Sequence, residues 1–171
     1  MRDLKSFIRD VPNFPKEGII FKDITPLLGH REAFSETIDL LADKIAGESP
    51  DVIVAVESRG FIFGAPLAYK LKTGFVPVRK KGKLPYKTHK VEYELEYGVD
   101  LLEIHEDAFE PGAKVVIVDD LLATGGTSLA VIELVKKLGG QVSSLLFLVE
   151  LSFLNGRERL KDYTVHSLIV Y

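Results

Sequence analysis

Hydrophobic residues recur along the chain in two patterns, one typical of helices and the other typical of buried strands. In residues 31–47, apolar side chains are spaced by four, three and four positions at Phe34, Ile38, Leu41 and Ile45, which predicts one apolar stripe on a helix. Two further helices are predicted, at residues 61–72 and 127–139. Between the helices lie short apolar runs that predict strands covered on both faces, at residues 51–56, 75–78, 114–120 and 141–151.

Strands that alternate with helices predict βαβ units with right-handed crossovers, and therefore an α/β fold with a parallel sheet. Two prolines complicate this pattern. Pro66 lies within a predicted helix, and Pro77 predicts an edge position or an irregularity in its strand. Residues 79–105 depart from the alternation, because a basic, turn-rich segment precedes two strand patterns that predict a hairpin joined near Gly98. Such an inserted hairpin is a candidate cover for an active site.

Composition narrows the class of protein. A chain of 171 residues with no break in composition predicts one domain, and the net charge of −3 argues against a general nucleic-acid or membrane-surface role. There is no cysteine, so disulfides and thiolate chemistry are excluded. The first ten residues are charged where a signal peptide would be apolar. We expect a soluble, cytoplasmic, globular protein.

The segment "VVIVDDLLATGGTS", residues 115–128, carries the main candidate chemistry. Asp119 and Asp120 end a buried strand, where ligands bind in open parallel sheets. Gly125 and Gly126 then lead into a helix, whose free N–H groups and dipole favour an anion such as phosphate. Carboxylates beside a phosphate site favour a ligand that also offers hydroxyl groups or carries a divalent cation. A sugar phosphate meets both requirements.

An alternative keeps the same residues in a purely structural role, with the acidic pair capping a turn and the glycines connecting a strand to a helix. The combination of an acidic doublet, two glycines and paired threonines makes this the less favoured interpretation. The two common nucleotide-binding loops, G-x-x-x-x-G-K-[ST] and G-x-G-x-x-G, are both missing from the sequence. The four histidines show no metal-ligand spacing.

These residues resemble the phosphoribosyl pyrophosphate motif of the type I phosphoribosyltransferases, and among them the enzymes that use adenine. The resemblance extends over nearly the whole chain, through "NFPKEGIIFKDITPLL", "ESRGFIFG", "VRKKGKLP", "YELEYG" and "LLEIHEDAFEPG" in the order of that family. It implies a central, mostly parallel sheet flanked by helices. It also implies an inserted cover loop and hairpin at about 79–105 and a base-binding segment at about 12–28 within a single domain.

On the side of the ribose and its phosphate, the resemblance implies that Asp119 and Asp120 hold the ribose hydroxyls. The residues that would wrap the 5′-phosphate are Ala123, Thr124, Gly125, Gly126 and Thr127. The threonines would donate through their hydroxyl groups and the glycines through backbone N–H groups.

On the pyrophosphate side, the resemblance implies binding by Glu57, Ser58 and Arg59, with a cis peptide bond between Glu57 and Ser58 and a catalytic role for Arg59. Arg79 and Lys83 would add positive charge, and Arg79 would reach the site of a neighbouring subunit, which implies a homodimer. Taken alone, Arg59 is better explained as a surface ion-pairing residue and the basic run as a solvated loop.

In "YELEYG", the resemblance makes Glu96 the catalytic acid/base toward the purine ring and places Tyr97 beside the reaction in the closed cover loop. Glutamates on an exposed hairpin edge could instead protect it from aggregation. The adenine segment would consist of Ile20, Phe21 and Lys22, with Leu151 on the other side of the base. Many relatives carry arginine in place of Lys22, and Phe21 and Leu151 could be ordinary core residues.

The predicted reaction converts adenine and phosphoribosyl pyrophosphate into AMP and pyrophosphate, with Mg²⁺ bound together with the substrate. Two alternatives stay open. One is the same chemistry on guanine, xanthine or orotate, against which "IIFKD" and "YELEYG" argue. The other is a nucleic-acid-binding regulator, which would need an added basic domain or the loss of residues such as Glu96 and Arg59. Both of these residues are present in the chain.

Overall fold

The structure is a computed structural model that describes residues 2–94 and 99–171, without the side chains of residues 94 and 99. It divides into two compact units, Met1–Leu40 and Leu41–Tyr171. The first unit contains a 3₁₀ helix, an antiparallel pair of strands and helical segments. Its elements are the 3₁₀ helix Leu4–Phe7, β1 (Arg9–Pro12), β2 (Ile20–Asp23), α1 (Thr25–Gly29) and the start of α2 (Arg31–Lys44).

The second unit is an α/β structure built on a seven-stranded sheet. In chain order, its elements after the end of α2 are β3 (Val52–Val56), α3 (Arg59–Leu71), β4 (Gly74–Lys80), β5 (Thr88–Glu94), β6 (Val99–His105), β7 (Lys114–Leu122), α4 (Gly126–Lys137), β8 (Gln141–Glu150), the 3₁₀ helix Ser152–Leu154, α5 (Gly156–Arg159) and β9 (Thr164–Val170). The strand order is β5-β6-β4-β3-β7-β8-β9. Strands β4, β3, β7, β8 and β9 run parallel, and β6 and β5 add an antiparallel extension.

The central strands are buried because helices flank the sheet. All five residues of β3 are buried, as are Val115 to Val118 of β7. Helix α4 turns Val131, Leu134 and Val135 into the core. Continuous apolar runs therefore correspond to strands covered on both faces, as the sequence pattern predicts.

The predicted α/β fold with its mostly parallel sheet is confirmed. Helix α3 continues through Pro66, because the complete burial of Phe63 and Leu67 offsets the lost backbone hydrogen bond. Strand β4 pairs with β3 at Pro77, whereas its described pairs with β6 are limited to Arg79 and Lys80. Pro77 thus lies where only one side of the strand has a described partner, as predicted for an edge position.

The predicted hairpin is also confirmed for its described residues, since β5 and β6 pair from Thr88 with His105 to Glu94 with Val99. The sequence patterns did not predict β1, β2, β9 or α5. The first two strands and α5 have only four residues each, and β9 follows no helical pattern that would mark a βαβ unit. Such short elements are stabilised by tertiary contacts and carry little periodicity of their own.

Candidate active site

The candidate site lies where β3 and β7 end side by side. These adjacent parallel strands form the point from which the chain continues to β4 on one side and to β8 on the other, which is where open α/β sheets bind ligands. A cavity of about 220 Å³ opens there. It is lined by Val56, Glu57, Ser58, Arg59, Lys80, Tyr93, Leu102, Asp119, Asp120, Leu121, Ala123 and Thr127.

The acidic pair is held in place by its own backbone and by one arginine. The Oδ1 atom of Asp119 accepts a hydrogen bond of 2.9 Å from the backbone N–H of Asp120. The Nε atom of Arg59 lies 2.7 Å from Oδ2 of Asp120, and the side chains of these two residues are 40% and 8% exposed, respectively. Arg59 is therefore an ion-pairing residue, as its alternative interpretation holds, but its partner is one of the two candidate carboxylates in the cavity.

Both carboxyl groups resist ionisation. Burial raises the pKa of Asp119 well above its usual range, and the negative charge of Asp120 raises it further. Burial also raises the pKa of Asp120, although the guanidinium of Arg59 acts in the opposite direction. Two acidic groups with raised pKa values in one cavity are typical of a functional site, because a stable core has no use for them.

The segment from Ala123 to Thr127, here called the phosphate loop, connects β7 to α4. Gly125 has φ of +82° and no side chain caps the helix that follows. The first backbone N–H groups of α4 therefore have no side-chain cap, and together with the helix dipole they favour an anion at this end of the helix. Thr124 is exposed and Thr127 half-buried, whereas Ser128 is buried.

The cavity lining includes two cations, Arg59 and Lys80. Arg79 adjoins it through Glu57, and Lys83 is linked to Arg79. These four residues are here called the basic side. The Nε atom of Arg79 lies 2.7 Å from Oε2 of Glu57, and its Nη1 atom donates to the backbone oxygen of Lys83 at 3.2 Å. The Nζ atom of Lys80 lies 2.9 Å from Oδ2 of Asp100. The Glu57–Ser58 peptide bond is cis, as the resemblance implied.

The comparisons with known proteins agree with this geometry. A model of the phosphoribosyl transferase domain matches residues 24–167. An adenine phosphoribosyltransferase of Thermotoga petrophila is 63% identical over 169 residues, which cover 99% of this chain and 99% of the relative.

Two crystal structures extend the agreement to three dimensions. An adenine phosphoribosyltransferase from Thermoanaerobacter pseudethanolicus superposes with a TM-score of 0.96 at 58% identity, covering 99% of this chain and 98% of the other. One from Saccharomyces cerevisiae, complexed with an imino-altritol bisphosphate and adenine, superposes with a TM-score of 0.91 at 44% identity and covers 96% of each chain.

The chain belongs to the phosphoribosyltransferase family. Membership of this family accounts for the fold and for the order of the motifs along the chain. The structure brings the acidic pair, the Glu57–Arg59 segment and two residues of the phosphate loop, Ala123 and Thr127, around one cavity. The lining of this cavity does not include Thr124, Gly125 or Gly126. Arg79 joins this cluster through Glu57.

The residues predicted to contact the base lie in both units. Ile20, Phe21 and Lys22 are on β2 of the first unit, where Ile20 is 56% exposed and the rings of Phe21 and Phe14 are 5.2 Å apart. Lys22 pairs with Asp10 at 2.7 Å. In the second unit, Leu151 follows β8 and donates its backbone N–H to Leu122. Phe21 and Leu151 are half-buried, so neither is a fully enclosed core residue.

Glu96 and Tyr97 lie outside the described residues, and their predicted roles stay predictions. Nearby, Tyr93 lines the cavity, and sequence reasoning did not select it. Its hydroxyl group donates a hydrogen bond of 3.4 Å to Oδ2 of Asp100. Burial raises the pKa of Tyr93. The alternation in "YELEYG", which puts Tyr93 opposite the glutamates, was the one available signal for its inward position.

Among the residues that the structure describes, no group of three or more His, Asp or Glu side chains is placed to hold a metal ion. No helix within residues 2–94 and 99–171 is both long and apolar enough to cross a membrane.

Proposed function

We propose that the protein transfers the 5-phosphoribosyl group of phosphoribosyl pyrophosphate to N9 of adenine, giving AMP and pyrophosphate in purine salvage. The observation that carries this proposal is a cavity lined by the acidic pair, by Ala123 and Thr127 at the N-terminus of α4, and by the cations Arg59 and Lys80. Membership of the family and the full-length similarity to adenine phosphoribosyltransferases support the choice of reaction.

The ribose 5-phosphate part of the substrate is assigned to the end of β7. Asp119 and Asp120 accept hydrogen bonds from the ribose hydroxyls, and the backbone N–H groups of Gly125 and Gly126 enclose the 5′-phosphate. Thr124 and Thr127 add hydroxyl donors, and Ala123 completes the loop. As the ribosyl centre becomes positive in a dissociative transition state, the nearby carboxylates stabilise that charge.

The pyrophosphate part is assigned to the basic side and to the Glu57–Ser58 segment. In the structure, Arg59 pairs with Asp120, Arg79 with Glu57 and Lys80 with Asp100. Substrate oxygens must therefore take over some of these contacts when they bind. Cations held beside the leaving group then stabilise the charge that accumulates as the C1′–O bond breaks. Lys83 contributes at longer range.

Bond making and proton transfer are assigned to the base and to Glu96. The lone pair of N9 forms the bond to C1′, the C1′–O electrons leave with pyrophosphate, and the proton at N7 passes to the carboxylate of Glu96. Tyr97 would lie beside this reaction when the cover loop closes and excludes water. Phe21 would stack on the purine, the backbone of Ile20 and Lys22 would hydrogen-bond its edge, and Leu151 would pack against its other face.

Mg²⁺ is proposed to enter with phosphoribosyl pyrophosphate, since this ion commonly keeps waters and binds substrate phosphate oxygens. The donor chemistry of the cavity fits such an ion, because Asp119 and Asp120 offer the hard carboxylate oxygens that it prefers. When bound, the ion would neutralise part of the charge on the departing pyrophosphate. A cytoplasmic homodimer, with Arg79 near the neighbouring subunit's site, completes the proposal.

The test is release of pyrophosphate with adenine, compared with guanine, hypoxanthine, xanthine and orotate, in the wild type and in Glu96→Gln. The proposal expects turnover with adenine alone and a reduction of about 100-fold or more in kcat for the variant. If turnover is faster with another base, that base rather than adenine is the substrate. Absence of turnover, together with RNA or DNA binding at moderate salt, would instead identify a regulator.

A further inference from the structure

The phosphate loop rests directly on the main chain of a turn that lies about thirty residues later in the sequence. A Cβ atom on Gly156 would lie 2.1 Å from the carbonyl oxygen of Ala123 and 3.1 Å from the backbone nitrogen of Gly125. Conversely, a Cβ atom on Gly125 would lie 2.9 Å from the carbonyl oxygen of Gly156. The two main chains are therefore in contact with no room for a side chain between them.

This turn is held by charge-assisted hydrogen bonds. Arg157 approaches Glu150, at the end of β8, with two nitrogens: Nε lies 2.9 Å from Oε1 and Nη2 lies 2.6 Å from Oε2. The Nη1 atom of Arg157 also donates to the backbone oxygen of Val165 at 2.9 Å, and the hydroxyl group of Ser167 donates to Glu150 at 2.6 Å. A bidentate pair with a buried carboxylate fixes both the position and the direction of the turn.

A further contact joins the turn to the loop. The Nη1 atom of Arg159 lies 3.4 Å from the carbonyl oxygen of Thr124. The main-chain carbonyls of Ala123 and Thr124 thus face the segment 156–159, and the loop borders the cavity through Ala123 and Thr127. A rigid support for a substrate-binding loop matters for the reaction, because misplacing the substrate by about 1 Å can cost roughly 100-fold in rate.

We propose that Gly156 and Arg157 are positioning residues for the 5′-phosphate. They fix the position and the orientation of the phosphate loop. This inference rests on the proposed function, because it assumes that the loop binds the phosphate of a ribose 5-phosphate group. Neither residue touches the substrate. Gly156 acts by allowing close approach of the loop, and Arg157 acts by anchoring the turn to Glu150.

The experiment compares ligands for the two halves of the cavity. Binding of ribose 5-phosphate and of magnesium pyrophosphate is measured by titration calorimetry for the wild type and for Gly156→Ala. The added methyl group should push the loop away and weaken ribose 5-phosphate binding by about tenfold or more, with pyrophosphate binding changed by less than about twofold. In turnover, KM for phosphoribosyl pyrophosphate should rise by more than kcat falls.

A matched control is Gly140→Ala. A Cβ atom at Gly140 would also be crowded, at 2.8 Å from the ring of Phe109 and from the side chain of Val135, but this glycine follows the opposite end of α4. Gly140→Ala should lower the thermal stability while leaving the affinities for both ligands within about twofold of the wild type. A selective loss in Gly156→Ala alone would support the positioning role.

A second pair of variants covers the case in which Gly156→Ala does not fold. Arg157→Ala should weaken ribose 5-phosphate binding several-fold with pyrophosphate binding retained, and Arg157→Lys should restore part of the loss, because lysine keeps the charge but loses the bidentate geometry. Equal weakening of both ligands, or unchanged ribose 5-phosphate binding in a folded variant, would overturn the inference.

These outcomes separate the inference from the proposed function. If the wild type binds both ligands and turns over adenine while the variants behave like it, only the positioning role is wrong. If the wild type binds neither ligand, the proposed function fails and the positioning role fails with it.

Discussion

The phosphate loop offers main-chain groups to the candidate site, whereas the basic side offers long charged side chains. The loop is set by the positive φ of Gly125 and by the turn at Gly156 beneath it. The cations Arg59, Arg79 and Lys80 are more exposed, and each already has a carboxylate partner. The phosphate loop is therefore preformed, whereas the cations of the basic side must exchange their carboxylate partners for substrate oxygens when the substrate binds.

This difference has a chemical reason within the proposed reaction. The ribose 5-phosphate group stays on the product, so a rigid site can hold it through the whole reaction. Pyrophosphate has to leave, and cations that can return to Glu57, Asp100 and Asp120 can release it more readily. Preformed main-chain donors give geometric precision, while exchangeable ion pairs give charge without permanent binding.

Loss of the acidic pair should have the largest effect. Replacing both carboxylates, in Asp119→Asn with Asp120→Asn, removes the acceptors for the ribose hydroxyls and the charge that stabilises the ribosyl centre. We expect kcat/KM for phosphoribosyl pyrophosphate to fall by about 100- to 1,000-fold in steady-state assays. Glu133→Gln, on the exposed face of α4 and paired with Lys137, serves as the control and should behave like the wild type. Near-normal kinetics in the double variant would contradict the roles proposed for Asp119 and Asp120 at the end of β7.

The next largest effect should come from the phosphate loop. Gly125→Ala places a side chain at φ of +82° and 2.9 Å from the carbonyl oxygen of Gly156. Both strains displace the backbone N–H groups, so ribose 5-phosphate affinity should drop by roughly 100-fold in calorimetry. Pyrophosphate affinity should change little. If both ligands weaken alike, the two halves of the cavity are not separable in the way described.

A smaller and salt-dependent effect should follow from Arg79→Gln on the basic side. Removing one cation from a half-exposed position should weaken pyrophosphate binding by about tenfold, because a charge-assisted contact is lost. Since ion pairs are screened by salt, the wild type should lose pyrophosphate affinity as the salt concentration rises, and the variant should lose less. The affinity for ribose 5-phosphate, measured under the same conditions, should depend less on salt than the affinity for pyrophosphate.

The smallest expected effect is on the free energy of unfolding. Its pH dependence should differ between two buried carboxyl groups, those of Asp119 and Glu150. The pKa of Asp119 is raised in the folded protein, so its ionisation costs stability as the pH rises from its ordinary value of 3.8 through the folded value. Asp119→Asn avoids this cost and should be more stable than the wild type at neutral pH by about 1–2 kcal/mol, with the difference vanishing in acid.

Glu150 should behave in the opposite way. The hydrogen bonds of Arg157 lower its pKa below the ordinary value of 4.5, so its contribution to stability is present above that pH and is lost as the pH falls through the folded value. Glu150→Gln should therefore destabilise the protein by about 2 kcal/mol near neutral pH and by less in acid. Urea unfolding at a series of pH values measures both variants. Parallel pH profiles would contradict the assignment of the two environments.

The amino-acid sequence by itself determined the α/β class, the order of the main strands and helices, and the clustering of the acidic pair and the Glu57–Arg59 segment at one edge of the sheet. The strands and helices follow from periodicity, which is a local property of the chain. The clustering follows because the carboxyl ends of parallel strands lie at a common edge of the sheet. The resemblance in motifs added the roles of the residues.

Only the tertiary structure decided which carboxylate faces which cation and what lies beneath the phosphate loop. The pairs Arg59–Asp120 and Arg79–Glu57 join different segments, and the contact of Gly156 with Ala123 joins two loops that the order of β7, β8 and β9 brings together. "LNGRERL" contains an Asn-Gly turn signal, but a turn signal carries no information about where the turn docks. Such contacts depend on how strands are ordered in the sheet, because it is the packing of distant segments that brings these groups within hydrogen-bonding distance.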